Sequence, residues 1–300
     1  MAYFQLCNIF AKKISRMRIV GLGNALTDVL ARLHSDECFD EMGLLKGGMQ
    51  LIDEEKLLRI MSVFEGLETT LASGGSAANA VSGVARMGIE SGFIGKIGRD
   101  AYGRFFREDM ERNGVQTLLI EGEQASGCAM TMITPDGERT FGTFLGAAAT
   151  LCAEELSAEM FEGYDILHIE GYLVQDTSLI LRAVQLAKEV GLSVSFDMAS
   201  YNVVKDNYAI IRDLVENYVD ILFANEEEAL AYTGEEPRKA TEILSRYCRI
   251  AVVKCGAQGS FVGCEGIITE VPATPEVRVD STGAGDLYAS GFLYGLSQNC

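Results

Sequence analysis

The sequence predicts an α/β protein built on a mostly parallel central sheet with helices on both faces. Two observations carry this. From Asp165 onward, short apolar runs alternate with helical segments, the pattern of successive βαβ units. Over 300 residues, 48% are hydrophobic and 23% charged, which supplies one large buried core and excludes a globally disordered chain. A third observation concerns the turns: 32 Gly against 4 Pro points to tight turns and close backbone approaches, not to Pro-rich linkers.

The elements follow in order. Arg18–Gly23 (RIVGLG) is an apolar run ending in glycines, a first strand and turn. Ser76–Arg86 is rich in small residues at helical spacing and follows Gly74-Gly75. Ser91–Ile94 reads as a strand and Tyr102–Arg112 as an amphipathic helix. Cys128–Ile133 and Arg139–Phe144 flank Thr134-Pro135-Asp136-Gly137-Glu138, a hairpin signal in which Pro presets φ and Gly accepts a positive one. In the second half, strands at Asp165–His168, Ser193–Phe196, Ile221–Ala224 and Ile250–Lys254 alternate with helices at Thr177–Glu189, Tyr208–Tyr218, Glu226–Tyr232 and Arg238–Tyr247. Ser260–Val262 and Ile267–Val271 form a late antiparallel hairpin, and Ala284–Leu296 a closing helix. No internal repeat or low-complexity linker interrupts the chain. The segments around 26–50 and 115–145 are where a smaller β element stands apart from the main sheet.

The charge excludes some partners. A net charge of −18, from 43 acidic and 25 basic residues, repels a phosphate backbone and an anionic membrane surface. No apolar run approaches the roughly 20 residues of a membrane span. Eight Cys without a C-x-x-C pair and only two His, His34 and His168, give no zinc pattern. The Cys lie in apolar stretches and read as reduced thiols of a cytoplasmic protein. In residues 1–16 the positive charges follow the apolar part, the reverse of a secretory signal. They read as an N-terminal extension or an upstream start, with an organelle transit peptide as the alternative and folding from about Met17.

Gly21-x-Gly23 lacks the third glycine of a dinucleotide fingerprint, where Leu26 stands, and no G-x-x-x-x-G-K-[ST] occurs. The strongest segment is Val279-Asp280-Ser281-Thr282-Gly283-Ala284-Gly285-Asp286, which runs straight into a helix. A glycine loop there leaves backbone N–H groups pointing outward, and with the helix dipole they form an anion site. Asp286 in the first turn stands where a carboxylate can take a proton from an attacking hydroxyl. On the residues alone, a capped helix with Asp286 merely favouring the dipole is the leading reading of the segment.

DSTGAGDLYASGF resembles the carboxy-terminal signature of the ribokinase-like (PfkB) carbohydrate kinase family. Gly74-Gly75-Ser76-Ala77-Ala78-Asn79, with Gly88 and Gly98, is similar to its first signature, although Val81 departs from it. Asn225-Glu226-Glu227-Glu228 matches its N-x-x-E motif, and Lys254-x-Gly256-x-x-Gly259 its nucleotide-side turn. The resemblance covers residues 18–297. GLGNALTDV, PDGERTF and the LGAA at 145–148 look most like the adenosine-kinase-like branch.

The resemblance implies a three-layer α/β/α sandwich with a small β lid, as one domain over 17–300. It implies a kinase that uses ATP and Mg²⁺ to phosphorylate a hydroxymethyl group of a nucleoside or sugar. By position, Gly283, Ala284, Gly285 and the Asp286 amide form the anion hole, and Asp286 is the base. Asp28, Gly74, Gly75 and Asn79 hold the acceptor. Asn225, Lys254, Gly256 and Gly259 face the nucleotide, and Glu228 holds Mg²⁺ through water. A helix cap is the competing reading of Asn225–Glu228, a loop acid that of Asp28, and a strand-end lysine that of Lys254. Arg139 reaches the substrate or lies at the surface, and both His read as structural. Family members usually continue past the position of Cys300, so either a truncated chain or a short branch is expected, with one flank of the adenine pocket affected. The alternatives are a sugar or sugar-acid kinase of the same family, or a non-catalytic ligand-binding member. A monomer and a homodimer are both compatible with the sequence.

Overall fold

The computed structural model describes residues 17–275 and 283–298. The N-terminal extension, the Val279–Thr282 part of the glycine motif and Cys300 lie outside the described residues. In chain order the strands are β1 (Arg18–Leu22), β2 (Leu26–Arg32), β3 (Gly48–Leu51), β4 (Thr69–Gly74), β5 (Glu90–Gly98), β6 (Val115–Gly122) and β7 (Gly127–Ile133). They continue with β8 (Arg139–Phe144), β9 (Ile166–Glu170), β10 (Ser193–Asp197), β11 (Ile221–Asn225), β12 (Ile250–Lys254), β13 (Ser260–Cys264) and β14 (Ile267–Val271).

A nine-stranded sheet takes the order β14-β13-β12-β11-β10-β9-β1-β5-β6. Its strands are parallel except β13 and β14, which pair antiparallel as the late hairpin. Strand side chains alternate between two cores. Leu222 and Ala224 face the helices Thr177–Glu189, Tyr208–Asn217, Glu226–Thr233 and Pro237–Leu244. Ile221 and Phe223 face the helices Ser76–Arg86, Ala101–Arg112 and Ala284–Ser297. Both faces are covered, which is why these strands read as continuous apolar runs. The sheet is the parallel, helix-flanked one the alternation predicts, and the element boundaries agree within a few residues. The strand predicted at Ser91–Ile94 extends to Gly98, and the helix predicted at Arg238–Tyr247 ends at Leu244.

A second sheet has five strands in the order β3-β8-β7-β2-β4. One face packs Val29, Met130 and Met132 against Phe39, Met42, Ile60 and Phe64 of two helices, Cys38–Met42 and Glu54–Phe64. The segment 26–50 supplies β2 and β3. Of 115–145, only Gly127–Phe144 belongs to the small sheet. Val115–Gly122 is β6, paired parallel with β5 along its whole length. The helix Ala101–Arg112 between them makes a βαβ crossover of the kind read in the second half. The small sheet takes its remaining strand from Thr69–Gly74, which the sequence reading left unassigned.

The chain passes between the sheets at Gly23–Ala25, Gly75, Glu123–Ser126 and Leu145, and these crossings pack backbone against backbone. Gly75 shows why. Its φ is +99°, and a Cβ there would stand 2.2 Å from the Asn24 carbonyl oxygen. Left-handed strain and overpacking each cost about 1–3 kcal/mol, so Gly75→Ala is expected to lose at least about 2 kcal/mol of stability. Urea unfolding checks this; an unchanged midpoint would contradict it.

Candidate active site

Four neighbouring strands end in polar residues: Glu170 on β9, Asp197 on β10, Asn225 on β11 and Lys254 on β12. Asn24 follows the end of β1. Strand order reverses between β1 and β9, since the chain leaves β1 toward β5 on one side and returns at β9 on the other. The crevice outside the carboxyl ends of the strands at such a switch point is where doubly wound sheets bind ligands. Here it is a cleft of about 1740 Å³ between the strand ends and the small sheet. Asn24, Asp28, Phe141, Glu170, Lys254 and Asp286 are among its lining residues.

Asp286 lies in the first turn of the helix Ala284–Ser297, whose N-cap is Gly283 with φ +70°. Its two carboxylate oxygens accept from Ser76 Oγ at 2.7 Å and Asn79 Nδ2 at 2.9 Å. Burial raises its pKa, with those two hydrogen bonds pulling the other way. Asn79, expected beside the acceptor, is therefore also a partner of Asp286. The first N–H groups of the helix have no intrahelical acceptor. A Cβ on Gly285 would come within 3.2 Å of Lys254 Nζ, so the lysine stands beside the glycine loop.

Asp28 sits on β2 among the cleft residues. Burial pushes its carboxyl up to about 6, and the nearby Asp286 charge adds to this. A Cβ on Gly74 would meet the Asp28 carboxylate at 2.5 Å, so Gly74 leaves the room in which Asp28 lies. Gly75 serves the chain crossing.

Lys254 is partly buried and donates to Asp197 Oδ2 at 2.8 Å. Burial opposes its charge, but Asp197 outweighs burial and the net shift is upward. Asp197 also accepts from the Ala199 N–H at 2.9 Å, where Ala199 has an unusual φ of +67°. Gly256 (φ +52°) opens into free space. Gly259 (φ +96°) packs against the Val271 carbonyl, where a Cβ would stand at 2.0 Å.

Asn225 and Glu228 form a reciprocal capping box. The Glu228 N–H donates to Asn225 Oδ1, while Asn225 N and Nδ2 donate to the two Glu228 oxygens at 2.8 and 2.7 Å. Burial raises the Glu228 pKa and Asp197 adds to this. Among the described residues, no group of three or more His, Cys, Asp or Glu is arranged to hold a metal ion. A magnesium ion fits this donor set only as an ion held by phosphate and water with a single carboxylate nearby, a coordination Mg²⁺ commonly adopts. The left-handed Gly283, the free first turn and Lys254 fit a phosphate group.

Glu170 and Asp197 were missed by the sequence reading. Each is an acid closing an apolar run, ILHIE and SVSFD, and that signal was available. Glu170 is 1% exposed. It accepts from Asn24 N and Nδ2 at 2.9 and 2.6 Å, and from the Ala77 N–H at 3.0 Å. It thereby ties the first chain crossing to the start of the helix Ser76–Arg86 and caps that helix from outside. Burial pushes its carboxyl up to about 7. Arg139 lies on β8 two residues before Phe141 and is not among the residues lining the cleft. His168 is buried with Nδ1 2.9 Å from Ser195 Oγ, and burial pushes it down to about 4, consistent with a structural residue. Cys128, Cys152, Cys248, Cys255 and Cys264 are free thiols. No helix among the described residues is long and apolar enough to cross a membrane.

The raised carboxyls imply a pH dependence. Asp28 and Glu170 rise from 3.8 and 4.5 to about 6 and about 7 on folding. Their contribution is fully present below the unfolded values and is lost as pH rises through the folded ones. The unliganded protein is therefore expected to melt at a lower temperature near pH 7.5 than near pH 5, and Asp28→Asn to reduce the difference. Equal melting temperatures across this window would contradict the assignment.

Fold and cleft define a doubly wound α/β protein with a glycine-rich helix start beside a partly buried carboxylate. The PfkB carbohydrate kinase family model matches residues 42–299. The chain belongs to this family and is a kinase. It is 31% identical to an uncharacterized sugar kinase of Archaeoglobus fulgidus over 71% of this chain and 85% of that one. It is 29% identical to a fructokinase of Klebsiella pneumoniae over 75% and 76% of the two chains. Its structure superposes on adenosine kinase from Sinorhizobium meliloti with a TM-score of 0.81 and 32% identity, covering 95% of this chain and 88% of that one. The ribokinase-like fold inferred from the motifs is the fold observed.

Proposed function

We propose that the protein phosphorylates a hydroxymethyl group of an adenosine-like nucleoside or a sugar at the expense of ATP, with Asp286 as general base. One observation carries the reading. Asp286 is held by Ser76 and Asn79 at the start of a helix, in the same cleft as Asp28. ATP supplies the phosphoryl group, and Mg²⁺ offsets its charge. Asp28 accepts hydrogen bonds from acceptor hydroxyls, and Gly74, Gly75 and Asn79 complete that end. Asp286 takes the hydroxymethyl proton. The amides of Gly283 to Asp286 face the transferred group, where prearranged donors stabilise developing charge. Lys254 neutralises phosphate charge next to Gly285, with Asn225, Gly256 and Gly259 along the nucleotide side. The small sheet closes as a lid that excludes water as a competing acceptor. Free cysteines fit a cytoplasmic location.

A panel of nucleosides and sugars incubated with Mg-ATP tests this through ADP release. Acceptor-dependent ADP is expected; none with any acceptor would favour a non-catalytic ligand-binding protein. Glu228→Gln is expected to raise the Mg²⁺ concentration needed for half-maximal rate. Loss of one capping acceptor would also cost about 0.5–2 kcal/mol of stability. A Mg²⁺ titration that overlays the wild type would leave Glu228 as a helix cap alone.

A further inference from the structure

We infer that the acceptor is uncharged: the acceptor end of the cleft takes a neutral polyol or nucleoside and rejects sugar acids and sugar phosphates. This rests on the reading that the acceptor lies between Asp28 and Asp286. It narrows a family whose members here include a fructokinase and a 5-dehydro-2-deoxygluconokinase, the latter from Bacillus subtilis at 30% identity.

Three features of that end favour a neutral ligand. Two carboxylates share it, and Asp28 sits close enough to Asp286 to be held up by its charge. An acceptor anion placed between them meets like charge in a partly desolvated space. Among the described residues lining the cleft, no free cation offsets this. Lys254 is the one Lys or Arg among them, and it is bound to Asp197 beside Gly285, at the phosphate end. The N-terminus of the helix Ser76–Arg86 also points here, and part of it is already taken by carboxylates. Its Ala77 N–H donates to the buried Glu170 and its Ser76 hydroxyl to Asp286. Across the cleft the small sheet presents mostly apolar side chains, Leu26, Met49, Leu51 and Phe141, with the Thr143 hydroxyl as an uncharged polar group among them.

The test uses matched acceptors that differ in charge and keep a free hydroxymethyl group: gluconamide against gluconate, and 3′-O-methyladenosine against adenosine 3′-monophosphate. Fructose and adenosine serve as unsubstituted references. The neutral member of a pair is expected to exceed its charged partner about 100-fold or more in kcat/KM. Raising the salt from roughly 0.01 to 0.3 M should narrow the gap, since charge repulsion is screened and steric exclusion is not. Turnover of a charged member within about tenfold of its neutral partner, a 1.4 kcal/mol difference, would overturn the inference and leave the kinase reading intact. Equal failure of both members beside active fructose or adenosine would assign the exclusion to size and also overturn it. Silence of every acceptor, references included, would instead count against the kinase reading itself.

Discussion

Asp286→Asn is expected to lower kcat by about 10²–10⁴-fold, the usual cost of removing a general base. The substitution keeps the side chain's size but removes its basic lone pairs. One of the two hydrogen bonds, from Ser76 or Asn79, would persist, because the amide oxygen still accepts. Asp286 is a partly buried carboxyl whose charge is disfavoured by desolvation. Neutralising it relieves that cost, so the melting temperature should hold or rise while turnover collapses. That split separates a chemical role from a structural one. Neither histidine offers a replacement base: His168 is buried against Ser195 and His34 is exposed far along the chain, before the first helix of the small-sheet unit. Loss of a negative charge beside the phosphates should also tighten nucleotide binding. A variant with near-normal kcat would remove Asp286 as the base.

Asp28→Ala should weaken acceptor binding and leave ATP binding nearly unchanged. A hydrogen bond to a charged group contributes about 1.5–3 kcal/mol, which is roughly one to two decades in affinity. A second, independent signature follows from the raised carboxyl. With its pKa near 6 in the free protein, Asp28 is protonated at lower pH and accepts poorly there. Acceptor affinity should therefore rise as pH increases through about 6, and Asp28→Asn should flatten that limb. Calorimetry with both ligands over this pH range checks the pair of expectations. Unchanged acceptor affinity in Asp28→Ala would take Asp28 out of the site.

Much of the fold was legible because the central strands are buried on both faces. ILFAN, IAVVK and SVSFD announce themselves as apolar runs, and helices of amphipathic spacing separate them. The small sheet was less legible. Thr69–Gly74 is largely exposed and mixed in character, and its pairing with β2 is a long-range choice that no local pattern encodes. Val115–Gly122 was assigned to the wrong sheet because its half-exposed residues resemble an edge hairpin. At the site, the glycine motifs fixed the place of Asp286 and Lys254. The Glu170 clamp was hidden because it joins residues 146 positions apart, Asn24 and Glu170. Gly259 lines the cleft and Gly74 does not, and their side-chain space is taken by the Val271 carbonyl and by the Asp28 carboxylate respectively.

The central claim is phosphoryl transfer from ATP to a hydroxymethyl oxygen with Asp286 as the base. Phosphorus NMR of the product, formed by wild type and by Asp286→Asn from the best acceptor of the panel, addresses it directly. The account predicts a phosphate monoester on the hydroxymethyl carbon, one per ADP released, from the wild type, and almost none from the variant in the same time. A monoester on a ring hydroxyl, ADP without phosphorylated acceptor, or equal product from the two proteins would contradict it.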